Sequence, residues 1–279
     1  MKKILSSFVV VAFLLAGCAK NQVTGRSQLR LLPEKELQSM ATQQYQQFLA
    51  QNKVVPVNVN KDAEMVRRVG TRIASAITQY LQKEGKGDLL EGYKWEFNLI
   101  DNKEVNAWCM PGGKIVVYTG LLPVTMNENA LAVVMGHEVS HAIAKHGAER
   151  MSQGMIAQGL LAAGQVGLGV AMKDKPQATQ SLWNNVFGVA APMGAQVTLL
   201  ANGRGQESEA DHLGLIFMSM AGYDPRTATS FWQRMEASST GARQPEFLST
   251  HPNPASRIAD LNADMPKALQ YYKAAGGKL

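Results

Sequence analysis

The segment His137-Glu138-Val139-Ser140-His141 constrains this chain more than any other feature. It follows directly on Ala132-Val133-Val134-Met135-Gly136, so two imidazoles and a carboxylate enter what reads as the apolar stretch of a helix. A solvated helix face is a poor account of that placement. Residues four apart on a helix lie one above the other, so His137 and His141 can converge on a single metal ion. Glu138 is turned by about 100° around the axis and can reach a water beside the metal rather than the metal itself. The arrangement suits a hydrolase. His146 lies five residues beyond His141, well around a continuing helix, and is expected at the surface near the helix C-terminus, where positive charge is tolerated.

A catalytic zinc takes three protein ligands and leaves one position open, so a third ligand must come from elsewhere. The best source is "GQESEADHLG", residues 205–214. Glu207 and Asp211 are again four apart on a predicted helix, so one carboxylate can bind metal while the other supports a ligand histidine. From the residues alone, Glu209 and His212 are candidates as well, since an acidic helix start is common in its own right.

The N-terminus reads as a targeting segment. Lys2 and Lys3 precede an apolar run over residues 4–15 that is too short to span a membrane, and Leu15-Ala16-Gly17-Cys18 resembles a bacterial lipobox. The expectation is a signal peptide over 1–17, lipid on Cys18, a polar tether over 18–28 and one domain over 29–279; a plain cleaved signal is the alternative. Each buried methylene of a lipid chain contributes about 0.8 kcal/mol, so several chains hold the body to a bilayer without a protein helix. Ala19 follows the cysteine without an acidic run. By resemblance to other lipoproteins, this suits an outer-membrane anchor facing the periplasm. Cys109 is then left alone among apolar neighbours and is expected to be buried as a small hydrophobe. Without Lys2 and Lys3, 26 basic residues stand against 22 acidic ones. They are scattered, with no Lys/Arg block, which argues against nucleic-acid binding despite a pI near 9.3.

Periodicity predicts helices from Pro33 to about Ala50, after Lys61, from an N-cap at Asn127 to about Met151, over about 205–221, and after Asp224-Pro225. Alternation over residues 93–100 predicts a strand, and Pro111-Gly112-Gly113 predicts a hairpin between residues 105–110 and 114–119. The fold class expected is α+β, mainly α, with helices around a small sheet. Residues 151–201 are rich in Gly, Met and Gln. They read either as a loose helical hairpin covering a cleft or as ordinary buried helix.

Asn106-Ala107 with Pro111-Gly112-Gly113, Gly120-Leu121-Leu122, His137-Glu138-Val139-Ser140-His141, Glu207-Ser208-Glu209-Ala210-Asp211, and His251-Pro252 with Arg257 occur in one order across most of the chain. Together they resemble the zinc metallopeptidases that include HtpX and the type 1 CAAX prenyl protease, with a periplasmic lipoprotein branch that includes LoiP and BepA. The resemblance implies a zincin-like domain with one Zn2+ per chain. It also implies His137, His141 and Glu207 as zinc ligands, Glu138 as general base and Asp211 as the carboxylate orienting a ligand histidine. His251 resembles the family histidine that either stabilises the transition state or closes the metal's open position in a latent form, and Arg257 is expected to assist it at the oxyanion. Residues 114–119 are expected to be an edge strand that receives substrate, with Asn106, Ala107, Ile115, Val116 and Val117 as its contacts. Unfolded or misfolded envelope proteins are the expected substrates. The rival expectation is a latent or non-proteolytic zinc lipoprotein that acts as a scaffold in outer-membrane protein assembly.

Overall fold

The computed structural model describes residues 18–157, 203–238, 245–251 and 256–278. The expected signal peptide, residues 158–201 of the expected Gly/Met-rich hairpin, and Pro252-Asn253-Pro254 lie outside these.

The chain opens with an antiparallel pair, β1 (Cys18–Lys20) and β2 (Ser27–Leu29). Asn21 Oδ1 accepts the Val23 and Thr24 N–H groups, and Gly25 takes the left-handed backbone that such a turn requires (φ 76°). The region expected to be a polar tether thus contains an antiparallel hairpin. It packs on the domain, because Asn21 Nδ2 and Gln28 Nε2 both donate to the Ala144 carbonyl, at 2.7 and 2.6 Å.

Helix α1 (Glu34–Gln51) starts at Pro33 and buries Leu37, Ala41, Tyr45 and Phe48. Helix α2 (Lys61–Lys83) is capped by Asn60, whose side chain accepts the Asp62 and Ala63 N–H groups. Its apolar stripe buries Val66, Val69, Ile73, Ile77 and Leu81, at the spacing the sequence predicts. Three strands follow: β3 (Glu96–Ile100), β4 (Ala107–Met110) and β5 (Lys114–Tyr118), in the order β3-β5-β4. β5 runs parallel to β3 and antiparallel to β4, with Gly112 and Gly113 at positive φ in the turn. Because successive side chains alternate faces, Ala107, Cys109, Ile115 and Val117 join the core beneath α2, whereas Trp108, Met110, Val116 and Tyr118 join a second core beneath α1. Both faces are covered, which explains why β4 and β5 read as continuous apolar runs.

β5 is thus the central strand, and its backbone groups are used on both sides. The expectation that residues 114–119 form a substrate-receiving edge, with Ile115, Val116 and Val117 as contacts, is corrected: the edge on the other side of the hairpin is β4. A period-2 pattern marks a strand but carries no information about its place in the sheet.

A short helix, α3 (Leu122–Thr125), leads to α4 (Glu128–Ile143), whose N-cap Asn127 accepts the Ala130 N–H at 3.0 Å. The predicted continuous helix does not persist to Met151. It ends at Ala144, Lys145 adopts φ 59°, and α5 (His146–Ala157) departs in a new direction. Lys145 is held in this uncommon conformation by its Nζ contacts to Glu34 Oε1 (2.8 Å) and Tyr93 Oη (3.2 Å). The remaining helices are α6 (Arg204–Met220), α7 (Thr227–Ala237), α8 (Glu246–Thr250) and α9 (Arg257–Ala274). Among the described residues, no helix is long and apolar enough to cross a membrane.

α4 and α6 form the most extensive helix pairing, and they touch backbone to backbone. A Cβ placed on Gly214 would stand 2.8 Å from His137 N and 2.9 Å from Gly136 C, and one on Gly136 would stand 2.8 Å from Gly214 O. Two glycines are required here because no side chain fits between the axes. Gly205, on the same helix, has open space around it. Gly214→Ala should therefore cost about 1–3 kcal/mol through overpacking, whereas Gly205→Ala should be neutral or stabilising by up to about 1 kcal/mol. Chemical denaturation of the two variants checks this; equal stability would remove the close crossing from the account.

Candidate metal centre

The α4–α6 crossing brings the two sequence motifs together. His137 and His141 stand one turn apart on α4 with their Nε2 atoms 3.0 Å from each other. Glu207 projects from α6 between them, with Oε2 3.4 Å from His137 Nε2 and Oε1 3.3 Å from His141 Nε2. His251, just after α8, completes a group of four whose ligand atoms all lie within 4.8 Å of one another, and all four side chains are buried. The set fits zinc. Two imidazoles and a carboxylate are the ordinary ligands of a catalytic site, and Glu207 Oε1 is buried and accepts no hydrogen bond within the chain. Such a carboxylate oxygen, aimed at two imidazoles, has a cation as its natural partner.

The surrounding contacts fix these donors. His137 Nδ1 lies 2.8 Å from Asp211 Oδ1, which leaves Nε2 for the metal and gives Asp211 the orienting role expected of it. Arg257 corrects a second expectation. It does not face an oxyanion; its Nε donates to Asp211 Oδ2 (2.5 Å), its Nη2 donates to Glu207 Oε2 (2.9 Å), and the guanidinium lies 3.8 Å from the Trp232 ring centroid. Buried behind the carboxylates, it neutralises and aims them, and it is a positioning residue.

His251 Nδ1 lies 3.2 Å from the Phe247 carbonyl, and its ring stacks on Phe247 with centroids 4.5 Å apart. Nε2 therefore faces the centre, 3.4 Å from Glu138 Oε1. Glu138 belongs to α4 but not to the four-donor group. Its Oε1 is buried without a hydrogen bond, and the Cys109 backbone on β4 bonds its carboxylate.

Burial sets the electrostatics, with charges acting for or against it. It pushes Glu138 up to about 8 and His251 down to about 3, and it holds His141 well below the usual imidazole range. Burial would also lower His137, but the Glu207 charge and the Asp211 hydrogen bond outweigh it and lift His137 to about 10. Burial would raise Glu207, yet the His251 and His137 charges hold it well below the usual carboxylate range. Cys109 is buried as expected, and its thiol is pushed well up by burial.

His146 is the third correction. It is fully buried, with Nδ1 2.8 Å from His141 Nδ1 and Nε2 2.8 Å from Glu209 Oε2. The helix break at Lys145 returns it toward the metal ligands, and the left-handed position of that break is a lysine rather than a glycine. Glu209 serves His146 rather than the metal, and His212 lies near the surface, 2.7 Å from Asp264 Oδ2.

The sequence profile of Peptidase family M48 matches residues 60–264, a span that contains every residue of the centre. Mitochondrial metalloendopeptidase OMA1 of Schizosaccharomyces pombe is 32% identical over 199 residues, covering 70% of this chain and 53% of its own. Metalloendopeptidase OMA1, mitochondrial, of Bos taurus is 29% identical over 275 residues, covering 95% of this chain and 50% of its own. Beta-barrel assembly-enhancing protease of Escherichia coli is 31% identical over 167 residues, covering 60% of this chain and 33% of its own. The chain thus spans about half the length of the OMA1 relatives and a third of the bacterial one.

With its pKa near 10, His137 is protonated in the metal-free chain at neutral pH. Zinc must displace that proton, so the apparent affinity should rise by about tenfold per pH unit for one proton released, while pH stays below the His137 value. Calorimetric titration of the metal-free chain in buffers of different ionisation enthalpy, between pH 6 and 8, measures the release. A proton count of zero would contradict the protonation assigned to His137.

Proposed function

The chain belongs to peptidase family M48, and we propose that it is a zinc-dependent endopeptidase in which Glu138 is the general base. The observation that carries this reading is the Glu138 carboxylate itself. It is buried beside the donor group, outside it, with one oxygen unpartnered and its pKa raised to about 8 by burial. A purely structural zinc site, closed by four ligands, has no use for such a group.

When bound, zinc would supply Lewis acidity that polarises a peptide carbonyl and acidifies water. Glu138 Oε1 accepts the proton of the attacking water and returns it to the leaving amine. A carboxylate with a raised pKa suits both halves of that exchange, since it binds the proton firmly enough to carry it and releases it near neutral pH. His251 Nε2, across from Glu138, is placed to meet the carbonyl oxygen as charge develops there. Substrate lies along β4, the edge strand whose Cys109 backbone already contacts Glu138, with Ala107 at its start and Asn106 just before it. Tyr118 N–H donates to the Asn106 carbonyl, so Asn106, Trp108 and Met110 face β5, and Ala107 and Cys109 turn their backbone groups outward. Recognition through the backbone favours unfolded polypeptide over any one side-chain sequence.

The finer setting is the bacterial envelope: lipid on Cys18, an outer-membrane anchor facing the periplasm, and misfolded envelope proteins as substrates. Leu15-Ala16-Gly17-Cys18 supports it, as does similarity to a relative named for β-barrel assembly enhancement.

A second reading is a latent form in which His251 occupies the fourth ligand position. The inclusion of His251 Nε2 in the four-donor group favours it. Casein cleavage by the zinc-loaded, unlipidated chain separates these readings. Glu138→Gln should lose activity by roughly 10²–10⁴-fold while keeping its zinc; undiminished cleavage would remove Glu138 as the base. His251→Ala should lower activity if the histidine meets the oxyanion and raise it if the histidine holds the site closed.

A further inference from the structure

Behind His141, on the side away from the other donors, runs a line of polar contacts, buried at His146 and partly exposed at Arg26, that the hydrolytic mechanism does not use. His141 offers Nε2 toward the metal, so its proton resides on Nδ1, which donates to His146 Nδ1 at 2.8 Å. His146 then carries its own proton on Nε2 and donates it to Glu209 Oε2, also at 2.8 Å. Arg26 Nε donates to that same oxygen at 2.8 Å, while Arg26 Nη1 and Nη2 grip Glu149 at 2.8 and 2.6 Å. Each tautomer along the line follows from the one before it.

Arg26 belongs to the N-terminal hairpin, more than a hundred residues from either metal-binding motif. The same hairpin holds the Ala144 carbonyl with the Asn21 and Gln28 amides, at the point where α4 ends and the chain turns back through Lys145 to present His146. One short element therefore secures both the break that places His146 and the carboxylate that orients it. Bidentate and charge-assisted contacts of this kind fix orientation as well as adding energy.

We propose that His146, Glu209 and Arg26 are positioning residues for His141, so that the docked N-terminal hairpin sets how tightly the centre holds zinc. The proposal rests on the metal-centre reading but not on proteolysis. Because the hairpin begins at Cys18, the residue expected to carry lipid, a pull or displacement there would act on the metal ligand through this line.

The test is zinc transfer from the loaded, unlipidated chain to a chromophoric chelator, with the thermal midpoint of the metal-free chain as a check on folding. Arg26→Met, Glu209→Gln and His146→Ala should each weaken zinc retention by about 10–100-fold. The exposed pair Lys53–Asp101 supplies a control, since Lys53→Met should leave retention unchanged. Arg26→Met made on top of His146→Ala should add little, because both act through one line; full additivity would mean that the hairpin supports the fold in general. Cobalt-loaded protein gives a second readout, as an altered ligand-field spectrum in Arg26→Met would report a changed His141 geometry at unchanged thermal stability. Retention within twofold of wild type in all three single variants would overturn the proposal. A Glu138→Gln chain that keeps both zinc and proteolysis would overturn the peptidase mechanism alone, and a wild-type chain that takes up no zinc would overturn the centre together with this inference.

Discussion

The close approach of α4 and α6 at Gly136 and Gly214 is the contact on which the rest of this molecule depends. The two helices carry complementary halves of one centre: His137, Glu138 and His141 on the first, Glu207 and Asp211 on the second. Carboxylate side chains are short, so Glu207 can reach between two imidazoles only if the helix axes are closer than ordinary side-chain packing allows. Removing both Cβ atoms at the crossing achieves that separation. The layers beyond it, α9 against α6 and α2 against the sheet, hold the pair in place from outside.

So dense a set of buried ionisable groups would destabilise the domain if left uncompensated. Compensation comes from local pairing. Arg257 meets both Glu207 and Asp211 and rests on Trp232, Asp211 meets His137, and each imidazole has its second nitrogen occupied. Two carboxylate oxygens of the centre, Glu138 Oε1 and Glu207 Oε1, are buried and keep no hydrogen bond. The neighbouring groups are held rigidly while two carboxylate oxygens are kept available, which is the division of labour that a preorganised hydrolytic site requires.

The break at Lys145 adds a feature that a straight helix could not provide. A continuous α4 would carry His146 away from His141 and leave that ligand's Nδ1 without its imidazole partner. Tertiary contacts impose the break: Glu34 and Tyr93 hold the Lys145 side chain, and the N-terminal hairpin holds the Ala144 carbonyl. An element expected to be a tether thereby becomes part of the support of the centre.

By itself, the sequence determined the elements and the donor types. The helix cap at Asn127, the α2 stripe, the Pro111-Gly112-Gly113 turn and the convergence of His137 with His141 follow from local periodicity and from motif spacing, both of which act over a few residues, whereas the choice of Glu207 over Glu209 and His212 rested on the family resemblance. Only the tertiary structure decided which strand lies at an edge, which way Arg257 turns, and where His146 goes. Each of these depends on partners distant in the chain. β5 is central because β3 arrives from one side and β4 from the other. Arg257 is drawn to two carboxylates on α6, and His146 is placed by a helix break that contacts from Asn21, Gln28, Glu34 and Tyr93 stabilise. A local pattern can specify what a residue is able to bind, but the packing of remote segments determines which of its possible partners it meets.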